Sequence, residues 1–152
     1  MWIDKKEKEI YNDNKYHGIR LRFYKGFSID EIKIIKKFCY WLSKKYWFPI
    51  RCNLYFCSQK KFQSVDDGHI YYGVFYSNEE SNKRYPCICI ATVIENFDDE
   101  YECCFNIAHE LTHYFQWYFY EDKEKTARSL EIMANKWARY LVEEYYETKS
   151  SE

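Results

Sequence analysis

The chain has 152 residues, a formal net charge of -1 from 23 basic and 24 acidic side chains, and 22% aromatic residues. That length suits one domain, 1–152, with a genuine core, and the even charge leaves no global field for nucleic acid or an anionic membrane, so neither is expected as a partner. No run reaches the roughly 18 apolar residues of a membrane span, the start Met1-Trp2-Ile3-Asp4-Lys5 lacks a secretion signal's apolar stretch, and seven cysteines without a C-x-x-C pair suit free thiols in a reducing cytoplasm.

Residues 1–17 are charged and weakly patterned, which predicts a loosely packed leader or a short helix, with His17 exposed. Ser28-Ile29-Asp30-Glu31 reads as a capping box, and Ile32, Ile35, Phe38, Cys39 and Leu42 then recur at helical spacing. Pro49 closes that segment, so the reading is an N-terminal helix over 29–47. Three strand-like runs follow, Cys52 to Ser58, Ile70 to Ser77 and Cys87 to Ile94. Polar turns at Asp66-Asp67-Gly68 and over 77–82 separate them. The pattern then turns helical from Glu100 to Tyr120 and from Lys123 to Tyr146. A helix, a small three-stranded sheet and two C-terminal helices make an α+β domain.

The first of those two helices carries His109-Glu110-Leu111-Thr112-His113, an H-E-x-x-H sequence. One helical turn separates the imidazoles, so both leave the same face and can hold one zinc ion, while Glu110 beside them can act as general base on a water at the metal. A catalytic zinc needs a third protein ligand and an open position. Metzincins place a histidine six residues after the second; here Phe119 stands there, which excludes that solution. The alternative is a glutamate on the next helix. Glu131 shares a face with Ala134, Asn135 and Ala138, and the two alanines let that face come close to the histidines. Glu121, Asp122 and Glu124 compete for the role but lack such a face. Asn135 is placed to share a hydrogen bond with the outer nitrogen of a zinc-bound histidine. Leu130, Met133, Trp137 and Leu141 read as the core face of the same helix.

His109 to His113 followed by Glu131-Ile132-Met133-Ala134-Asn135-Lys136-Trp137-Ala138 resembles the ImmA/IrrE-type metallopeptidases, whose pattern is H-E-L-x-H and then E-x-x-A-[ND]-x-[FW]-A. The resemblance covers about residues 85–146. It implies a minimal zincin-like fold, His109, His113 and Glu131 as zinc ligands, Glu110 as general base, and intracellular proteolysis of a protein or peptide substrate, often a regulator encoded by a mobile element. The family often has glycine where this chain has Thr112, a departure that bears on packing behind the ligands.

Such sites add a donor for the oxyanion, and His69, Tyr71, Tyr72 and Tyr85 are the candidates near strand ends. The run 87–94 reads either as a sheet edge that receives substrate or as a buried central strand. Cys103 and Cys104 read as packed hydrophobes. Were one of them a ligand, the site would be a closed structural one, in a zinc-stabilised interaction module; a degenerate zincin that only binds its partner is the other rival. The base at Glu110 argues against both.

Overall fold

Residues 1–11, 15–120 and 125–150 are described by the computed structural model. Strict alternation in Ile19-Arg20-Leu21-Arg22-Phe23 forms β1 (Ile19–Phe23), with its apolar side chains turned inward and its arginines outward. The capping box behaves as its residues suggest. Ser28 Oγ accepts from the Glu31 N–H at 3.1 Å, and Glu31 returns a carboxylate oxygen to the Ser28 N–H at 2.9 Å. This starts α2 (Ile29–Lys45), whose buried stripe is Ile35, Phe38, Cys39 and Leu42. The second Glu31 oxygen accepts from Ile94 N–H at 2.9 Å, tying the start of α2 to the segment after the sheet.

The chain continues through β2 (Cys52–Cys57), a ribbon of β3 (Phe62–Gln63) and β4 (Ile70–Tyr71), β5 (Gly73–Tyr76) and β6 (Cys87–Ala91). Two single-turn helices, α1 (Lys8–Tyr11) and α3 (Asn78–Ser81), and the long α4 (Phe97–Phe119) and α5 (Ala127–Ser150) complete it. The main sheet has the order β1-β2-β6-β5, with β1, β2 and β6 parallel and β5 antiparallel to β6. Helices α2 and α4 cover one face, and α5 packs on α4. Leu54, Phe56, Ile88 and Ile90 point into the layer between sheet and helices and are fully buried.

The α+β class holds, but the sheet differs from the expected three strands. It has four, because β1 joins at one edge, and the run 70–77 divides at Tyr72 between the ribbon and β5. The run 87–94 is a central strand, and β5 is the edge. Residues 1–3 are not a loose leader. Trp2 and Ile3 are 6% and 2% exposed, Ile3 O accepts from Trp47 N–H at 2.8 Å, and the Trp2 ring lies 4.9 Å from Phe115 and 5.0 Å from Tyr46. A tryptophan carries more apolar surface than the charges that follow can keep in water. His17 is half-buried, its ring 4.3 Å from that of Trp47.

Helix α4 begins at Phe97, where the Asn96 side chain accepts from Asp99 N–H. The start expected for the last helix at Lys123 lies outside the described residues. Of the face read as its core, only Leu141 is buried; Leu130, Met133 and Trp137 sit at the border. The buried face is Ala134, Ala138, Leu141, Val142 and Tyr145, because the small residues are those that allow close approach to α4. All seven cysteines are free, and Cys103 and Cys104 are buried within the helical layer. No helix among the described residues is long and apolar enough to cross a membrane.

Candidate metal centre

Helix α4 brings His109 and His113 to one side, with their Nε2 atoms 3.2 Å apart. Helix α5 supplies the third group. One Glu131 carboxylate oxygen lies 2.9 Å from His113 Nε2 and the other 3.2 Å from His109 Nε2. Donor atoms about 2.0–2.1 Å from a tetrahedral ion stand roughly 3.3 Å from one another. The observed spacings lie near that value, each histidine facing a different Glu131 oxygen, and the three residues form a group that could hold a metal ion. The approach that makes this possible runs along Ala134 and Ala138, both fully buried. Neither Cys103 nor Cys104 belongs to the group. Glu121, Asp122 and Glu124 lie outside the described residues.

Glu110 stands beside the three, its nearer oxygen 3.8 Å from His109 Nε2, and is 7% exposed. Its carboxylate accepts from the Phe75 backbone N–H. Burial, and after it the Glu131 carboxylate, push the Glu110 carboxyl up to about 8. Burial and the neighbouring His113 hold His109 below the usual imidazole value. A cation at the three donors opposes the first effect and reinforces the second, since it favours carboxylate and neutral imidazole.

Behind the donors, three contacts fix the geometry. His113 Nδ1 donates to Gln116 Oε1 at 2.7 Å, and Gln116 Nε2 donates to Leu130 O at 2.9 Å, so a single side chain links the imidazole to the start of α5. The Thr112 hydroxyl donates to Ala108 O at 2.8 Å and accepts from Trp2 Nε1 at 3.0 Å. Threonine in place of glycine is thereby accounted for as a seat for the indole. Asn135 reaches the His109 imidazole, yet Nδ1 of that ring is buried without a hydrogen-bond partner among the described residues. A contact of the kind expected from Asn135 is also made at His113, by Gln116.

The donors open into a cleft of about 710 Å³. Strand β5 and the ribbon form one wall; Phe105, Trp117 and Leu130 stand on the helical side. His69, Tyr71 and Tyr72 line it, whereas Tyr85 does not. Tyr85 precedes β6 on the other side of the sheet, its ring beneath the guanidinium groups of Arg51 and Arg84.

Gly73, which sequence reasoning passed over, faces Glu110. A Cβ there would lie 3.0 Å from Glu110 Cγ and 3.0 Å from Ile90 Cδ1. A single glycine inside a strand pattern is the signal that was available, since it marks close approach. Gln116, three residues after His113, had the helical spacing to be found. Trp2 had no local signal at all.

Compared with protein-family models, curated proteins and solved structures, the chain finds no significant match.

Proposed function

We propose that the chain is a zinc-dependent peptidase with a minimal zincin-like fold, His109, His113 and Glu131 being its zinc ligands and Glu110 its general base. The observation that carries this reading is the convergence of two imidazole nitrogens and the Glu131 carboxylate, with a buried carboxylate next to the group and outside it. Two histidines and one glutamate favour zinc and leave a fourth position open to solvent and substrate. Zinc held there supplies Lewis acidity, which makes water reactive near neutral pH and polarises a peptide carbonyl.

The remaining work falls to the chain's own groups. Glu110 accepts the proton of the attacking water and passes it to the departing amine. Its hydrogen bond from Phe75 N–H aims the carboxylate. The antiparallel ladder has Tyr72 O accepting from Ala91 N–H, so the backbone groups of Gly73 and Phe75 alternate away from β6. Gly73 N–H and C=O and Phe75 C=O are then available to pair an extended peptide as an added strand. His69, Tyr71 and Tyr72 are the donors within the cleft for a developing oxyanion. The resemblance to the ImmA/IrrE-type peptidases adds a regulatory protein of a mobile element as substrate, and the seven free thiols fit the reducing cytoplasm where such a substrate acts.

The test is Glu110→Gln against a broad peptide library, with metal content measured alongside. Hydrolysis should fall by about 10²- to 10⁴-fold while zinc stays at about one equivalent. His113→Ala should lose the zinc. If the wild-type protein cleaves nothing in the library but holds zinc and captures a partner, the chain is a non-catalytic zinc-stabilised module or a degenerate zincin.

A further inference from the structure

The two faces of the main sheet differ in character. The inner one packs on helices; on the outer one, β1 and β2 carry exposed and half-buried side chains, while Cys87 and Ala91 of β6 are buried. Alternation and register place Arg20 of β1 beside Asn53 of β2 and Arg22 beside Tyr55 on that outer face. Arg51 precedes this row in β2, joined to it by an Nε hydrogen bond of 3.0 Å to Asn53 Oδ1. Tyr24 continues the row of β1 and stacks on Tyr55, centroids 6.2 Å apart. Not one aspartate or glutamate occurs in the four strands.

Four of the six arginines gather here, and two of them, Arg51 and Arg84, are laid on rings. Arg84 lies 5.0 Å from the Tyr16 ring and 5.4 Å from that of Tyr85, Arg51 lies 4.9 Å from Tyr85, and Lys83 lies 4.9 Å from Tyr55. None of Arg20, Arg22, Arg51, Lys83 and Arg84 has a carboxylate in ion-pair range among the described residues. The exposed Glu79 and Glu80 lie beyond β5, in α3, so the basic surface spans β1, β2 and the segment before β6. The even overall charge is thus a sum over segregated regions. Five unpaired like charges repel, and this arrangement stabilises the fold less than a mixed surface would. It suits an anionic partner.

We propose that this outer face binds single-stranded nucleic acid, its phosphates held by Arg20, Arg22, Arg51, Lys83 and Arg84 and its bases stacked against Tyr24 and Tyr55. A guanidinium stacked on a ring keeps its N–H edge turned out, in the fork that matches phosphate oxygens. Tyrosines that turn a ring to solvent beside such cations, here the exposed Tyr24 and the half-buried Tyr55, form the platform that unpaired bases use. An acidic peptide would engage the cations and leave the rings idle. A duplex groove needs a protruding helix or ribbon, and this face is a flat sheet. The proposal stands apart from the metal centre and does not depend on it.

Fluorescence anisotropy of labelled mixed-sequence single-stranded RNA and DNA, titrated with the full chain at several salt concentrations, tests it. The wild-type protein should bind, with affinity falling steeply as salt rises. Each phosphate contact contributes about 0.7 to the log–log salt slope, so Arg20→Ala/Arg22→Ala should flatten it by about 1.4. Tyr55→Leu should weaken binding by about 5- to 100-fold at unchanged slope, since stacking is not electrostatic. Removing the metal with a chelator should leave binding as it was. All three side chains are at least partly exposed, and matching melting temperatures will certify the folded state. Arg20→Lys/Arg22→Lys, which keeps the charge, should restore the slope. No binding at low salt would overturn the proposal. So would equal affinity in the alanine double variant, or competition by polyglutamate or anionic vesicles as strong as that by unlabelled strand.

Discussion

Glycine at position 73 lets β5 lie against Glu110, because any side chain would begin 3.0 Å from the Glu110 Cγ and 3.0 Å from a buried isoleucine. In Gly73→Ala the flexible carboxylate must give way more readily than the core. A displacement of even about 1 Å can cost on the order of 10²-fold in rate. Gly73→Ala should therefore cut kcat by roughly that factor while zinc content and melting temperature stay near wild type; unchanged kcat would show that Glu110 tolerates the crowding. The same carboxyl sets a pH dependence in metal-free protein. Its folded pKa is about 8 against a reference of 4.5, so folded protein retains a proton that unfolded protein has lost, and stability falls as pH rises through that range. His109 acts oppositely, its lowered pKa costing stability only below its reference of 6.5. Between about pH 6.5 and 8 the Glu110 effect stands alone, at about 1.4 kcal/mol per pH unit. Thermal melts of chelated protein should fall across that window in the wild type and stay level in Glu110→Gln.

At the scale of elements, the third donor depends on how closely α5 approaches α4. Ala134 and Ala138 are fully buried in that seam. Ala138→Leu should cost about 1–3 kcal/mol by overpacking and, by lifting Glu131 away, should lower zinc affinity more than a surface substitution of equal destabilisation. Equal affinity would mean that α5 can re-seat. How much could be read in advance follows the range of the interactions. The possible donors were legible because His109 and His113 lie one turn apart on a helix, and Glu131 because Ala134 and Ala138 mark its face. The capping box of α2 was equally local. Strand β1 had a clear period of two but stands alone in sequence, and what makes it a strand is pairing with β2, some thirty residues on. That β5 would be the edge, and the run 87–94 central, depends on topology that no window of sequence contains.

Over the whole molecule, the metal of the proposed function would join α4 and α5 near Ala134 and Gln116, while further along the seam Leu141, Val142, Tyr145 and the bond from Tyr146 to Glu100 hold the two helices without it. If it binds the folded state alone at 100 times its dissociation constant, it adds about 2.7 kcal/mol. A chelator should then lower the melting temperature by about 5–10 °C; no shift in protein shown to have lost its zinc would mean that the helical layer holds without it. Trp2 braces the motif helix from behind. Trp2→Ala should cost about 3–5 kcal/mol. Trp2→Phe, which keeps a ring but leaves the Thr112 hydroxyl without its donor, should cost about 1 kcal/mol. Denaturant melts of the two variants separate packing from hydrogen bonding.

The bond from Trp2 to Thr112 spans 110 positions of sequence, and that has a consequence for synthesis. The indole leaves the ribosome well before its seat is made. At about 5–20 residues per second, it waits roughly 5–20 s for Thr112. During that interval a large apolar group on the nascent chain is open to chaperones, and the back of the motif helix is closed by a residue made long before it.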